Sequence, residues 1–128
     1  MNRRAFVFMS LAASTAFGVA EAAADVQVIY VGGEDCPPCL RWAKAYKAKW
    51  LASAEFRSVT WIEIDPPRFR EAYQERYWPG ALKPILDQIP RKTGAPRFLI
   101  VRNGLIVSNQ FGSSKWEATL ADLKTLLE

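Results

Sequence analysis

The chain has 128 residues, half of them hydrophobic, with 17 basic and 13 acidic side chains, two cysteines and no histidine. This length and composition fit one small folded domain and exclude a disordered charged tail. The missing histidine excludes Ser-His-Asp and Cys-His nucleophiles and histidine metal sites, and two cysteines alone cannot complete a four-ligand zinc site, so the thiols are the first candidates for covalent chemistry.

The first 24 residues have the pattern of a secretory signal peptide. Arg3 and Arg4 precede a charge-free apolar stretch over residues 5–20, and small residues around Ala24 suit a signal peptidase. The stretch is shorter than the roughly 20 residues of a membrane-spanning helix. We predict a signal peptide at 1–24, by either the ordinary or the twin-arginine route, and one domain at 25–128 in the periplasm or outside the cell. An uncleaved membrane-anchoring N-terminus is the alternative.

The first elements of the domain follow from the spacing of apolar residues. Residues 26–31 (VQVIYV) predict a buried strand that ends at a Gly-Gly pair, and residues 59–64 (VTWIEI) predict a second strand. Between the two strands, residues 37–54 predict a helix because apolar side chains recur on one face. Further helices are predicted over 68–77 and 81–89. The apolar face of the first helix comprises Cys39, Ala43, Tyr46 and Trp50.

The last third of the domain predicts a hairpin and a final helix. Two apolar strands, 98–101 and 105–108, flank Asn103-Gly104, the dipeptide that two-residue hairpin turns favour. Ser114 and Glu117 have the spacing of a capping box before the last helix. The predicted order is β-α-β-α-β-β-α, an α/β class with a parallel first pair of strands and an antiparallel last pair.

The chemistry of the chain is predicted at Cys36-Pro37-Pro38-Cys39. Cys36 lies at the start of the first helix, where free N–H groups and the helix dipole favour a thiolate. Such a thiol titrates below the ordinary value of about 8.5, so Cys36 is the expected nucleophile. Cys39, about one turn further and expected to be more buried, would resolve the mixed disulfide. Pro38 suits the first turn because its missing N–H needs no partner.

A structural disulfide and a metal site are the alternatives for the two cysteines. Export to an oxidising compartment favours a structural bridge. A bridge that closes so short a loop removes little entropy from the unfolded chain, however, and stabilises weakly. Redox chemistry is therefore the favoured interpretation, with Cys36 and Cys39 as the redox-active disulfide and no separate cofactor or metal.

With these motifs the sequence resembles the thioredoxin superfamily, which implies a minimal thioredoxin fold with a central mixed sheet flanked by helices. In that family the proline that matches Pro96 is cis and faces the cysteine pair, and the preceding residue, here Ala95, offers its backbone to an extended substrate. The matching features are the Cys36–Cys39 motif, Gly94-Ala95-Pro96, the Asn103-Gly104 hairpin and Gly112 before the last helix.

Four positions depart from thioredoxin itself, and one of them is Pro37, which stands where thioredoxin has Gly. Asp35 stands where thioredoxin has Trp, and Tyr30 and Trp61 stand where it has its buried acid and the partner lysine, so the usual proton-handling groups behind the second cysteine are absent. The charge of Asp35 opposes a thiolate, whereas Arg97 beside the proline loop would favour one. The direction of the redox reaction is left open, with Pro38, where oxidising relatives often have histidine, favouring a reductant.

A narrower resemblance links the chain to small periplasmic thioredoxin-like proteins associated with bacterial sulfur oxidation, which are thought to reduce disulfides on partner proteins. It rests on Trp42 three residues after Cys39, on Tyr46 and on residues 53–57 (SAEFR). Helix packing is the alternative reason for the aromatic residues.

The sequence therefore predicts an exported thiol-disulfide oxidoreductase that acts as a monomer on protein thiols or disulfides and takes electrons from a membrane or periplasmic donor. A binding module with a structural disulfide is the main alternative, and an oxidant for folding secreted proteins is a third. The basic stretch 41–49 has the spacing of a solvated helix face, so no nucleic-acid partner is expected.

Overall fold

The computed structural model describes residues 25–128. The predicted signal peptide at 1–24 lies outside the described residues. Within the described part of the chain, no helix combines the length and apolar character needed to cross a membrane.

A four-stranded mixed sheet forms the centre of the domain. The strands are β1 (Val26–Val31), β2 (Thr60–Ile64), β3 (Arg97–Arg102) and β4 (Leu105–Phe111), in the spatial order β2-β1-β3-β4. β1 runs parallel to β2 and antiparallel to β3, and β3 runs antiparallel to β4. The predicted parallel and antiparallel pairs are both confirmed.

The helix after β1 covers residues 37–51 and carries the cysteine motif. It consists of α-helical Pro37–Trp42, π-helical Ala43–Lys47 and α-helical Ala48–Leu51, and we call the whole of it α1. The short helix α2 (Ala54–Arg57) follows, and its first turn is capped by the Ser53 hydroxyl, which accepts from the Phe56 N–H at 3.1 Å. The π-helical stretch shifts the helical register, and Trp42 is buried together with Cys39 and Trp50.

The prediction of a helix over residues 68–77 is wrong. The structure has two 3₁₀ turns there, Phe69–Glu71 and Glu75–Tyr77. The Ala72 carbonyl, which a helix would use internally, accepts instead from the Trp78 indole N–H at 2.7 Å. The second predicted helix is confirmed as a 3₁₀ turn, Gly80–Leu82, that leads into α3 (Lys83–Gln88).

The β3–β4 hairpin and the final helix have the predicted positions. Asn103 and Gly104 both have positive φ, 53° and 80°. The final helix, α4 (Trp116–Leu127), begins after a 3₁₀ turn at Ser113–Lys115. The predicted capping box is wrong, because the 3₁₀ turn moves the helix start to Trp116 and its N-cap has no side-chain hydrogen bond.

The sheet has a packed core on each face. On one face α1 and α4 cover β1 and β3 with an aromatic cluster, and on the other face α3 and the 3₁₀ turns cover the alternate residues of the same strands. The aromatic cluster comprises Tyr30, Trp42, Trp50, Trp61, Phe98 and Trp116. The cysteine pair belongs to this first core, so the aromatic layer supports the site.

Candidate functional site

The end of β1 and the start of α1 place the two cysteines together. Cys36 is the N-cap residue of α1, with extended backbone (φ −106°, ψ 105°), and its Sγ accepts from the Cys39 N–H at 3.2 Å. Pro37 and Pro38 occupy the first turn, where a missing N–H costs nothing. The predicted positions of Cys36 at the helix start and of Pro38 in the first turn are confirmed.

Cys36 and Cys39 form a disulfide bond, with Cα atoms 5.2 Å apart. Each residue is 2% exposed, so the expectation that Cys39 is the more buried of the two is wrong. The reason is that Cys36 packs into the same core as Cys39 rather than lying at a solvent-exposed mouth.

Asp35 connects the cysteine loop to the segment that follows β2. Its carboxylate Oδ1 accepts from the backbone N–H of Phe69 at 2.8 Å. The same segment covers the loop at Gly33, where an added Cβ would clash with the Phe69 backbone. The 3₁₀ turn at Phe69 is therefore held against the loop that precedes Cys36.

The loop before β3 brings Ala95 and Pro96 to the cysteine pair. Arg97, the first residue of β3, pairs with Val31, the last residue of β1, so the loop lies beside the start of the cysteine loop. Ala95 is packed in the same core as Cys36 and Cys39. The Ala95–Pro96 peptide bond is cis, and the Pro96 carbonyl accepts from the Gly112 N–H at 2.8 Å.

A cavity of about 170 Å³ that the sequence did not predict lies beside Cys39. Its charged lining includes Lys47 on α1 and Glu63 on β2, which form an ion pair at 3.0 Å, and Asp65 after β2. Tyr30 also lines it, on the strand that pairs with β2. Because β1 and β2 are parallel, their carboxyl ends meet at one edge of the sheet, and this rule could have located Asp65 near the motif.

The surroundings of this cavity disfavour negative charge. Burial raises the pKa of Tyr30, and the nearby Asp65 and Glu63 raise it further. Burial also raises the pKa of Asp65, with added contributions from Glu63 and Glu34, while Lys47 opposes the shift. Titratable groups therefore line a cavity beside Cys39. They lie at other positions than thioredoxin's buried acid and lysine, which the sequence comparison matched with Tyr30 and Trp61.

Within residues 25–128, no group of three or more cysteine or carboxylate side chains is arranged to hold a metal ion.

Comparison with solved structures identifies the fold. The periplasmic thioredoxin SoxS from Paracoccus pantotrophus superimposes with a TM-score of 0.57 at 16% identity, over 80% of this chain and 99% of that one. Thioredoxin f from spinach chloroplast gives 0.56 at 18% identity, over 87% and 85% of the two chains. The thioredoxin of Malassezia sympodialis gives 0.54 at 19% identity, over 79% and 80%.

The chain therefore has the thioredoxin fold, as the sequence resemblance implied. One of the structures it is similar to is a periplasmic thioredoxin, the class to which the narrower resemblance pointed. No protein-family model and no curated protein matches the chain.

Proposed function

We propose that this protein is an exported thiol-disulfide oxidoreductase that exchanges the Cys36–Cys39 dithiol and disulfide with protein substrates. The observation that carries the proposal is the disulfide at the start of α1, in the same buried core as Ala95 within a thioredoxin fold. Both the reactive couple and a backbone docking position are then present in one site.

Cys36 is the proposed nucleophile and Cys39 the proposed resolving thiol. The Cys39 N–H donates to the Cys36 sulfur, and a hydrogen bond of this kind, together with the dipole of α1, favours negative charge on that sulfur. The hydrogen bond favours a thiolate at Cys36 rather than at Cys39, because Cys36 occupies the N-cap position and its sulfur is the acceptor. Pro37 and Pro38 keep the first turn of α1 in place around the couple.

Reduction of a substrate disulfide proceeds by two exchanges. The Cys36 thiolate attacks one substrate sulfur, forms a mixed disulfide and releases the other substrate sulfur as a thiolate, which takes a proton from water. The Cys39 thiol then loses its proton and attacks the Cys36 sulfur, which releases the second substrate thiolate and closes the Cys36–Cys39 bond. Two electrons pass to the substrate, and an external dithiol donor must return two electrons to the protein.

Ala95 and Pro96 are the proposed docking position for the substrate backbone. Among the hydrogen bonds of residues 25–128, none involves the backbone N–H or carbonyl of Ala95, while the loop around it is bonded at Gly94 and Pro96. An extended polypeptide beside the cysteine pair could therefore bond to Ala95 as to an edge strand.

The proposed direction is reduction and the proposed location is the periplasm. Pro38 stands between the cysteines where strongly oxidising relatives often carry histidine, which favours the reductant. The basic and apolar pattern of residues 1–24 supports export, as does similarity to a thioredoxin described as periplasmic. A periplasmic or membrane-bound dithiol is the proposed electron donor.

The roles of the cysteines are tested by paired substitutions. Reduced wild-type protein should cleave the disulfides of insulin, Cys36→Ser should lose this activity, and Cys39→Ser should accumulate mixed disulfides with the substrate. Titration of the couple in dithiothreitol and glutathione buffers then gives its reduction potential, and a value in the reducing range is expected. Full activity in Cys36→Ser would exclude the proposed mechanism.

A binding module with a structural disulfide is the second candidate, and the burial of both cysteines favours it. In that case the disulfide would resist thiol buffers, and Cys36 would react slowly with iodoacetamide after forced reduction. Rapid alkylation of Cys36 alone, with Cys39 protected, supports the oxidoreductase instead.

A further inference from the structure

The loop that precedes β3 is tied down by one buried cation. Arg97 is 8% exposed, and no carboxylate within residues 25–128 forms an ion pair with it. A buried guanidinium without an acid must be satisfied by neutral acceptors, because an unpaired buried charge is costly. The acceptors it uses show which part of the chain it orders.

Two of these acceptors are backbone carbonyls of the loop itself. Arg97 Nη2 donates to the Arg91 carbonyl at 3.1 Å and to the Thr93 carbonyl at 3.0 Å. Nη1 donates to the Asn109 side chain on β4 at 2.7 Å, which anchors the guanidinium to the sheet. The planar fork of Arg thus joins the loop to a rigid strand in a way that a point charge cannot reproduce.

Tyr73 extends this network to the residue before Ala95. Its hydroxyl accepts from Arg97 Nε at 2.7 Å and donates to the Gly94 carbonyl at 2.8 Å. The Arg97 guanidinium carbon lies 5.7 Å from the centroid of the Tyr73 ring and 5.6 Å from that of the Phe111 ring. Gly94 has a φ of 83° and lies against the Phe111 ring, which favours glycine at this position.

We propose that Arg97 is a positioning residue for substrate docking, which holds the loop 91–95 so that the backbone of Ala95 is presented to an extended polypeptide beside the cysteine pair. The inference rests on the proposed function. Arg97 itself need not touch the substrate or the sulfur atoms, because its donors are used by Tyr73, Asn109 and the loop carbonyls. This differs from the sequence expectation that Arg97 acts on the thiolate.

The test separates docking from sulfur chemistry by using two substrates. Reduced protein is mixed either with insulin, which needs backbone docking, or with 5,5′-dithiobis(2-nitrobenzoate), a small disulfide that does not. Arg97→Lys and Tyr73→Phe should each slow the reaction with insulin about tenfold through a higher KM, since a loop that must be ordered on binding weakens the complex. The rate with the small disulfide and the reduction potential should stay within about twofold of wild type.

Arg102→Lys is the matched control, because Arg102 is at the other end of β3 and exposed. It should leave both rates unchanged. Limited proteolysis within residues 91–95 should be faster in the two test variants than in the control.

Each other outcome contradicts the inference. Unchanged insulin kinetics in Arg97→Lys and Tyr73→Phe would remove Arg97 from substrate docking. An equal loss on both substrates, or failure of both variants to fold, would make the network structural only. Wild-type protein that reduces neither substrate would instead refute the proposed function, so the two failures are distinguishable.

Discussion

The phenol ring of Tyr30 stacks on the indole of Trp42, with ring centroids 4.8 Å apart and planes inclined by 21°. Tyr30 lies on β1, six residues before the first cysteine, and Trp42 on α1, three residues after the second. Within the described residues the buried Trp42 indole N–H has no hydrogen-bond partner, so packing is what positions this ring. The stack therefore fixes α1 and its cysteines on the sheet.

Loss of this stack should destabilise the protein strongly. Tyr30→Ala removes a buried ring from the aromatic cluster and should lower the free energy of unfolding by about 3–5 kcal/mol. Tyr30→Phe retains the ring and should cost less than about 1 kcal/mol. Urea denaturation followed by tryptophan fluorescence measures both, and equal effects of the two substitutions would contradict the packing argument.

Gly33 lies so close to the Phe69 backbone that adding a methyl group at Gly33 should destabilise the protein. A Cβ at Gly33 would meet backbone atoms rather than a mobile side chain, so Gly33→Ala should cost about 1–3 kcal/mol. Gly80 has no neighbour within 4 Å of an added Cβ, and Gly80→Ala should be neutral or stabilising by about 0.4–1 kcal/mol. Thermal unfolding of the two variants compares them directly, and a Gly33→Ala protein as stable as wild type would refute the close contact.

Asp35 should affect stability and thiol reactivity by separable routes. Asp35→Ala removes both the charge and the acceptor for the Phe69 N–H, whereas Asp35→Asn removes the charge and retains an acceptor oxygen. Both variants should accelerate alkylation of reduced Cys36 at pH 7, because a neighbouring negative charge opposes the thiolate. The unfolding free energy should fall by about 0.5–1.5 kcal/mol in the Ala variant and less in the Asn variant.

Stopped-flow or mass-spectrometric alkylation measures the first effect and urea denaturation the second. Slower alkylation in both variants would show that the carboxylate does not act on Cys36 through its charge.

Asp65 should make stability depend on pH. Burial, Glu63 and Glu34 raise the pKa of Asp65 above its ordinary 3.8, so the folded protein binds this proton more tightly than the unfolded chain does. Stability should then rise as the pH falls through the raised pKa toward 3.8 and decrease as the pH rises again. Because the Asp65 side chain is exposed to solvent, which screens these interactions, a modest effect is expected.

Asp65→Asn has no such proton to gain, so its unfolding free energy should exceed that of wild type by more at pH 7 than at pH 4. Urea titrations at both pH values measure this difference. Asp25→Asn, at an exposed carboxylate before β1, is the matched control. A difference between wild type and Asp65→Asn that shrinks as the pH rises would contradict the assignment.

Much of the fold was predictable because the relevant signals are local. Strands and helices are recognised from patterns that span only a few residues. Such patterns are the apolar runs of β1, β2 and the hairpin strands and the helical spacing of α1 and α4. The turn at Asn103-Gly104 follows from the positive φ that both positions adopt. The structure of segment 65–96 was harder to predict, because its turns use hydrogen-bond partners elsewhere in the chain. One example is Asp35, which accepts from the Phe69 N–H.

The sequence by itself determined the order of the elements, the chemistry of two thiols at the start of a helix and the exclusion of histidine-based catalysis, because residue type, spacing and turn preference are properties of short stretches. Only the tertiary structure decided which groups surround those thiols. The carboxylates beside Cys39 and the network of Arg97 with Tyr73 and Asn109 join residues far apart in the chain. Such contacts arise from how the sheet and loops pack, which local patterns do not encode.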